Sequence, residues 1–292
     1  MIREILHEKK QAVEHALSEL LVSDMPAHDV LYDSMNYSLP AGGKRIRPAL
    51  FLIGLDVFDL DEQPYMPAAC ALECIHTYSL IHDDLPQMDN DDYRRGRLTN
   101  HKVFGAGMAT MAGDGLLTAA FSLVSEMPMV SPKLRCQLIS ILSKAAGPSG
   151  MVGGQAHDIL SEGKTLTLDE LRIMDRCKTG CLLTAPLDMA AAVGEADPVM
   201  RDQLHEYGLH LGQLFQITDD LLDVSGNLEK MGKMPGQDAV MAKSTYVSLM
   251  GYEGAKEKAT EEANAAKSIA ETLGGRGLVL YELADLLLNR EK

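Results

Sequence analysis

An all-α fold follows from three observations on the 292-residue chain. Apolar residues recur at helical spacing almost everywhere, alternating strand-like runs are nearly missing, and capping and stop residues fall where the periodic segments begin and end. The first segment, 2–22, places Ile5, Leu6, Ala12, Val13, Ala16, Leu17 and Leu20 on one face. Helical periodicity then predicts segments at 46–58, 66–84, 105–127, 133–145, 149–161, 168–194, 198–225, 244–273 and 276–289. Ser131-Pro132 reads as an N-cap with proline at N1, and Thr167 with Glu170 as a capping box. Gly274-Gly275 reads as a helix stop before the last segment. The segment 66–84 is apolar nearly all round, which suits a central place in a large bundle. No linker, low-complexity tract or short repeat divides the chain, so the expectation is one helical domain over 1–292. Its longest loop, 226–243, carries Gly226, Gly232, Pro235 and Gly236, and its length marks it as a candidate lid.

Composition excludes several classes of function. Residues are 46% hydrophobic and 24% charged, enough for a sizeable core, with Trp absent. Against 42 Asp and Glu stand 27 Lys and Arg, a net charge of −15. That balance argues against a nucleic-acid partner or a broad anionic-membrane surface, so anions must be met where the few cations gather. The five cysteines (Cys70, Cys74, Cys136, Cys177, Cys181) form no CxxC, and the opening MIREILHEKKQ lacks an apolar signal core. An odd set of thiols in apolar helical patterns without an export signal points to a reducing cytoplasm. Stable membrane insertion is not expected: the best apolar run, 105–124, is interrupted by Asp114.

The strongest chemical signal is an unusual acidic group that occurs twice. Asp83, Asp84 and Asp89 close one apolar helix, with Pro86 expected to end it just after Asp84 so that Asp89 returns from a turn. Asp219, Asp220 and Asp223 lie near the end of another, with Asp219 and Asp223 sharing a face at i, i+4. Apolar helices have no structural use for such carboxylates unless a cation offsets them. Hard oxygen donors without His or Cys suit Mg²⁺ or Ca²⁺, and an EF-hand at 89–100 fails because Arg94 and Asn100 stand where Gly and Glu belong. Mg²⁺ completed by water and phosphate fits better.

Cations lie beside both motifs. Gly42-Gly43-Lys44-Arg45-Ile46-Arg47 is a glycine turn leading into a helix start, Arg94, Arg95 and Arg97 follow the first motif, and Lys178 interrupts an apolar stretch. Lys233 and Lys243 follow the second motif, and His76 lies two helical turns before Asp83. A P-loop, a dinucleotide fingerprint and a nucleophile elbow are all missing. The remaining chemistry is metal-assisted departure or transfer of a phosphorylated group without a protein nucleophile.

Taken together, GGKRIRP (42–48), CIHTYSLIHDDLPQMDNDDYRRGRLTNHKVFG (74–105), AGDGLLTAAF (112–121), GGQAHDI (153–159), KTG (178–180), LFQITDDLLD (214–223), GK and GQD within 232–238, and KSTY (243–246) resemble the trans-prenyl diphosphate synthases. The resemblance is closest to their bacterial farnesyl diphosphate synthases and runs from about residue 36 onward. It implies a large helical bundle around a deep central cavity, usually a homodimer. It implies three Mg²⁺ ions per site, with Mn²⁺ able to substitute, held by Asp83, Asp84 and Asp89 and by Asp219 with Asp223. By position, Lys44, Arg47, His76 and Arg95 would hold isopentenyl diphosphate, and Arg94, Lys178, Thr179, Gln216, Lys233 and Lys243 the allylic diphosphate. The same resemblance makes Tyr78 and Ser79 the chain-length determinants and farnesyl diphosphate the product. Asp83, Asp84, Asp89, Asp219 and Lys178 would be the catalytic set. A geranylgeranyl-forming member of the family is the nearest alternative. A terpene cyclase would carry a different second motif and would not need Lys44 and Arg47. Leu98, Val247 and Leu286 depart from frequent family residues.

Overall fold

Nearly all of the helices expected from periodicity are present within a few residues of their predicted bounds in the computed structural model, which describes residues 1–23, 25–225 and 244–290. These fall into two compact units, Arg3–Leu52 with Asp61–Ile139, and Ile53–Leu60 with the residues from Ser140 onward. Among the described residues a further helix, a short helix and a hairpin are additional, besides short 3₁₀ turns. Helix α2 (Asp29–Ser38) escapes the pattern because only Ser34 and Met35 of its ten residues are buried. A short helix, α5 (Asn100–Phe104), and a hairpin of two-residue strands, β1 (Tyr93–Arg94) and β2 (Arg97–Leu98), follow the first acidic motif. The hairpin turns on Arg95 and Gly96, both at positive φ (53° and 75°), the backbone that a two-residue hairpin loop prefers.

In the first unit α4 (Met66–Asp83) packs along α6 (Ala106–Ser125). The approach needs a glycine: a Cβ on Gly113 would lie 2.0 Å from His82 Nε2. Asn100 ties α5 to α2, accepting from Ser34 Oγ at 2.8 Å and donating to the Ser34 carbonyl and Ser38 Oγ. By length and composition α6 could cross a membrane, yet it packs within the unit and carries Asp114. Only a third of its most apolar stretch is buried, and Met111 is half exposed.

The second unit is built on α11 (Pro198–Ser225), which packs against α10 (Cys181–Val193) and α12 (Tyr246–Thr272). Cβ atoms on Gly208 and Gly212 would each lie 2.8 Å from a backbone Cα, of Thr184 and Gly180, so both crossings exclude larger residues. Ala255, Ala259, Ala263, Ala266 and Ala270 give α12 a buried small-residue face. Helix α13 (Leu278–Leu288) is fixed to α11 by Tyr207 Oη, which donates to the Leu280 carbonyl at 2.7 Å. The expected segment 168–194 is divided: α9 (Leu168–Asp175) opens with the Thr167–Glu170 capping box, and a π-helical turn, Arg176–Gly180, separates it from α10.

Candidate active site

The first motif ends α4 as Pro86 predicts. The helix stops at Asp83, Asp84 is its C-cap, and the chain loops back until the Asp89 N–H donates to the Asp83 carbonyl at 2.9 Å. Asp83 and Asp89 are half-buried, whereas Asp84 is 3% exposed. Arg94, carried back by the hairpin, grips Asp84 with Nε at 2.7 and 2.8 Å from its two oxygens and Nη2 at 2.5 Å. Burial alone would lower the Arg94 pKa, but the pairing with Asp84 and the charges of Asp83 and Asp91 raise it. Asp84 is therefore placed as the partner of Arg94.

Behind this pair stands a cluster of cations. Burial, then the charges of Arg47, Arg95, Arg94 and Arg45, hold the His76 imidazole well below its ordinary pKa of 6.5. The positive charge around the ring favours its neutral form. Arg95 donates to the Gly42 carbonyl and lies against Gly43, where a Cβ would meet its Cζ at 2.7 Å. Lys44 is exposed beside it. Arg45 (φ 51°) has a different role: its side chain is fully buried, pairs with buried Glu73, donates to the Leu39 carbonyl at 2.7 Å, and lies 3.5 Å from Glu14. It anchors the turn that presents Lys44 and Arg47.

Tyr78, on α4 below Asp83, is 5% exposed and meets His82 edge-on at 5.7 Å. Burial, then the charge of Asp83, push its phenol up to about 12, so it stays neutral. Ser79 is half-buried and donates to the His76 carbonyl.

In the second unit the π-helical turn presents Lys178 and Thr179. Such turns inside α-helices are frequent at functional sites. Lys178 Nζ donates to Asp158 Oδ2 at 2.5 Å, and Gly154, one turn before Asp158 on α8 (Met151–Ser161), lets the helix approach. Thr179 Oγ1 donates to Gln216 Oε1 at 3.2 Å, Gln216 Nε2 to Asp220 Oδ1 at 3.0 Å, and the Tyr246 N–H to Asp220 Oδ2 at 2.8 Å. Asp220, 5% exposed, thus ties α11 to the start of α12. Asp158, Lys178, Gln216, Asp220 and Thr245 line an open cleft. Asp219 and Asp223 are half-buried, and Asp219 accepts from Arg290.

Within the first unit the sequence-predicted Asp83, Asp84, Asp89, Arg94, Arg95, Arg47 and His76 come together. In the second, Lys178, Thr179 and Gln216 join Asp220, and Asp219 lies one residue away on α11. Lys233, Lys243 and the candidate lid 226–243 lie outside the described residues. No three His, Cys, Asp or Glu side chains among the described residues converge as a preformed metal cage. The hard carboxylate oxygens of the two motifs fit Mg²⁺, which keeps water and phosphate in its shell and needs only one or two carboxylates from the protein. Asp84 is engaged with Arg94, and Asp220 with Gln216 and the Tyr246 N–H. Asp158, Glu73, Arg45 and Arg290 are not singled out by sequence reasoning. Glu73 and Asp158 give a signal only as carboxylates inside apolar helical stretches, and Arg290 gives none.

Comparisons with known proteins place the chain in a family. The Polyprenyl synthetase family model matches residues 28–273. A farnesyl diphosphate synthase of Geobacillus stearothermophilus is 48% identical over 292 residues, covering 99% of this chain and 98% of that protein. The structure of an FPP/GFPP synthase from Zymomonas mobilis, in its apo form, superposes with a TM-score of 0.90 at 33% identity over 98% of each chain. A geranyltransferase from Helicobacter pylori, complexed with magnesium and isoprenyl diphosphate, gives 0.87 at 32% identity, covering 98% of this chain and 96% of that one.

Proposed function

Since the chain belongs to the polyprenyl synthetase family, we propose that it condenses isopentenyl diphosphate with dimethylallyl and geranyl diphosphates to give farnesyl diphosphate. The observation that carries the reading is the turn that joins Asp83 to Asp89 at the end of α4, with Arg94 held bidentate on Asp84 beside it. Mg²⁺, three ions per site with Mn²⁺ able to substitute, would be held by Asp83 and Asp89 and by Asp219 with Asp223, and would supply charge against the departing diphosphate.

The protein's own groups divide the remaining work. Lys44, Arg47, His76 and Arg95 bind the diphosphate of isopentenyl diphosphate and set its double bond in place. Arg94, already aligned by Asp84, and Lys178, aligned by Asp158, bind the allylic diphosphate and stabilise the charge that builds on it as its carbon–oxygen bond breaks. Gln216 is oriented by Asp220 and Thr179, so the dipoles of this chain face the allylic cation. The double bond attacks that cation, and the released diphosphate takes the proton lost in forming the new alkene. Tyr78, a buried neutral ring on the Asp83 helix, favours the fifteen-carbon product. The five cysteines are free thiols, which supports a reducing cytoplasm as the setting. The exposed part of α6 supports a homodimer.

The test is incubation with isopentenyl and geranyl diphosphates, with and without Mg²⁺, followed by chromatography of the products. Farnesyl diphosphate should form only with the metal. Asp83→Ala and Asp219→Ala should each lose at least ~10²-fold in kcat while still folding, by analogy with a lost oxyanion donor. A folded Asp219→Ala enzyme with near-normal turnover would falsify the metal assignment.

A further inference from the structure

Arg290, two residues beyond α13, folds back onto α11 with its side chain only 6% exposed. Nη2 donates to Asp219 Oδ1 and, at 2.7 Å, to the Phe215 carbonyl, and Nε donates to Thr218 Oγ1 at 3.0 Å. The guanidinium carbon lies 4.3 Å from the Phe215 ring centroid, within cation–π range. Thr218 directs its own hydroxyl proton to the Leu214 and Phe215 carbonyls, which leaves its oxygen facing Arg290 as an acceptor. One turn of α11 thus provides a carboxylate, a carbonyl, a hydroxyl and a ring for a single planar cation. A fork with this many partners is seated; a lysine would keep the charge beside Asp219 Oδ1 and lose the contacts to the Phe215 carbonyl and Thr218.

We propose that Arg290 is a positioning residue for the second aspartate motif, holding Asp219 Oδ1 so that the motif takes up a divalent cation weakly until a diphosphate arrives. The proposal rests on the reading of Asp219 as a metal-binding residue. A carboxylate oxygen shared with a guanidinium has less negative charge to offer a hard cation. A diphosphate brings several anionic oxygens of its own and offsets the competition, so metal uptake is linked to substrate uptake.

The probe is Mn²⁺, titrated into the full-length protein without diphosphate and read by the loss of the free-ion paramagnetic resonance signal. Arg290→Gln should bind Mn²⁺ roughly fivefold more tightly than the wild type, the effect of one partly exposed ion pair. Arg290→Lys keeps the charge and should stay within about twofold of the wild type. Inorganic diphosphate should shrink the difference between wild type and Arg290→Gln. The gain should disappear in the double variant Arg290→Gln/Asp219→Asn, with thermal melts confirming that each protein is folded. Unchanged or weaker binding in Arg290→Gln overturns the proposal. So does a gain that survives the loss of the Asp219 charge, or a Lys variant as tight as the Gln one. The condensation assay on Asp219→Ala tests the underlying metal reading separately, so the two failures are distinguishable.

Discussion

Asp84 and Asp220 occupy the middle of their motifs, and both are nearly fully buried on fixed partners, Arg94 for one and the Tyr246 N–H with Gln216 for the other. Burial on those partners makes the middle carboxylate of each motif part of the frame. On the cationic side stands His76. Its folded pKa lies well below 6.5, so near that pH the unfolded chain takes a proton that the folded protein refuses. Stability on this account is complete above about pH 6.5 and falls as the pH drops toward the folded value. His76→Asn should reduce the fall in Tm between about pH 7 and 5.5 by roughly 2–4 °C, measured by calorimetry. An identical acid limb in both proteins would assign the effect to other groups. Tyr78 carries the product-length prediction. It lies five residues before Asp83, about 7–8 Å down α4 at the helical rise. Removing the ring in Tyr78→Ala should let a further condensation proceed to the twenty-carbon product, while Ser79→Phe should shorten the product toward ten carbons. Unchanged product chromatograms from both variants would move the floor to another helix.

At the scale of elements, glycines decide how close helices come, and closeness decides where the reactive side chains stand. A Cβ on Gly154 would lie 2.2 Å from the backbone nitrogen of Lys178 and 2.6 Å from its Cα, and neither atom can swing aside as a side chain would. Gly154→Ala should cost about 1–3 kcal/mol by overpacking, read from denaturant melts. Turnover should fall further than stability alone explains, because Lys178 and Thr179 ride on the displaced turn. Full activity at reduced stability would separate the turn from the chemistry. The turn itself was not legible from periodicity, since one extra residue in a helical turn leaves the apolar pattern of 168–194 nearly continuous. Helix α2 was missed because its buried face is two residues wide, and the hairpin because Arg95-Gly96 reads as charge before it reads as a turn. The Thr167 capping box, the stop at Pro86 and the Ser131-Pro132 start were all legible, because each acts within one turn of its own sequence.

For the whole molecule, α6 has an exposed side among the described residues. Gly107, Met111 and Thr118 lie along its exposed side, with Asp114 among them. The proposed homodimer should appear at twice the chain mass in sedimentation, and Met111→Lys should shift it toward monomer at micromolar concentration. A wild-type protein sedimenting as a monomer throughout that range would remove the dimer from the account. Sequence alone determined the helical class, the positions of most helices, the two acidic motifs and the cations that belong with them. It could do so because helix periodicity, capping and motif spacing are short-range properties carried by neighbouring residues. Tertiary structure alone decided that Asp84 and Asp220 are buried on fixed partners, that Arg45 is buried on Glu73, that Asp158 pairs with Lys178, and that Arg290 sits on Asp219. Those assignments depend on pairs separated by tens of residues along the chain, and burial sets whether a charge is spent on another side chain or kept for a ligand.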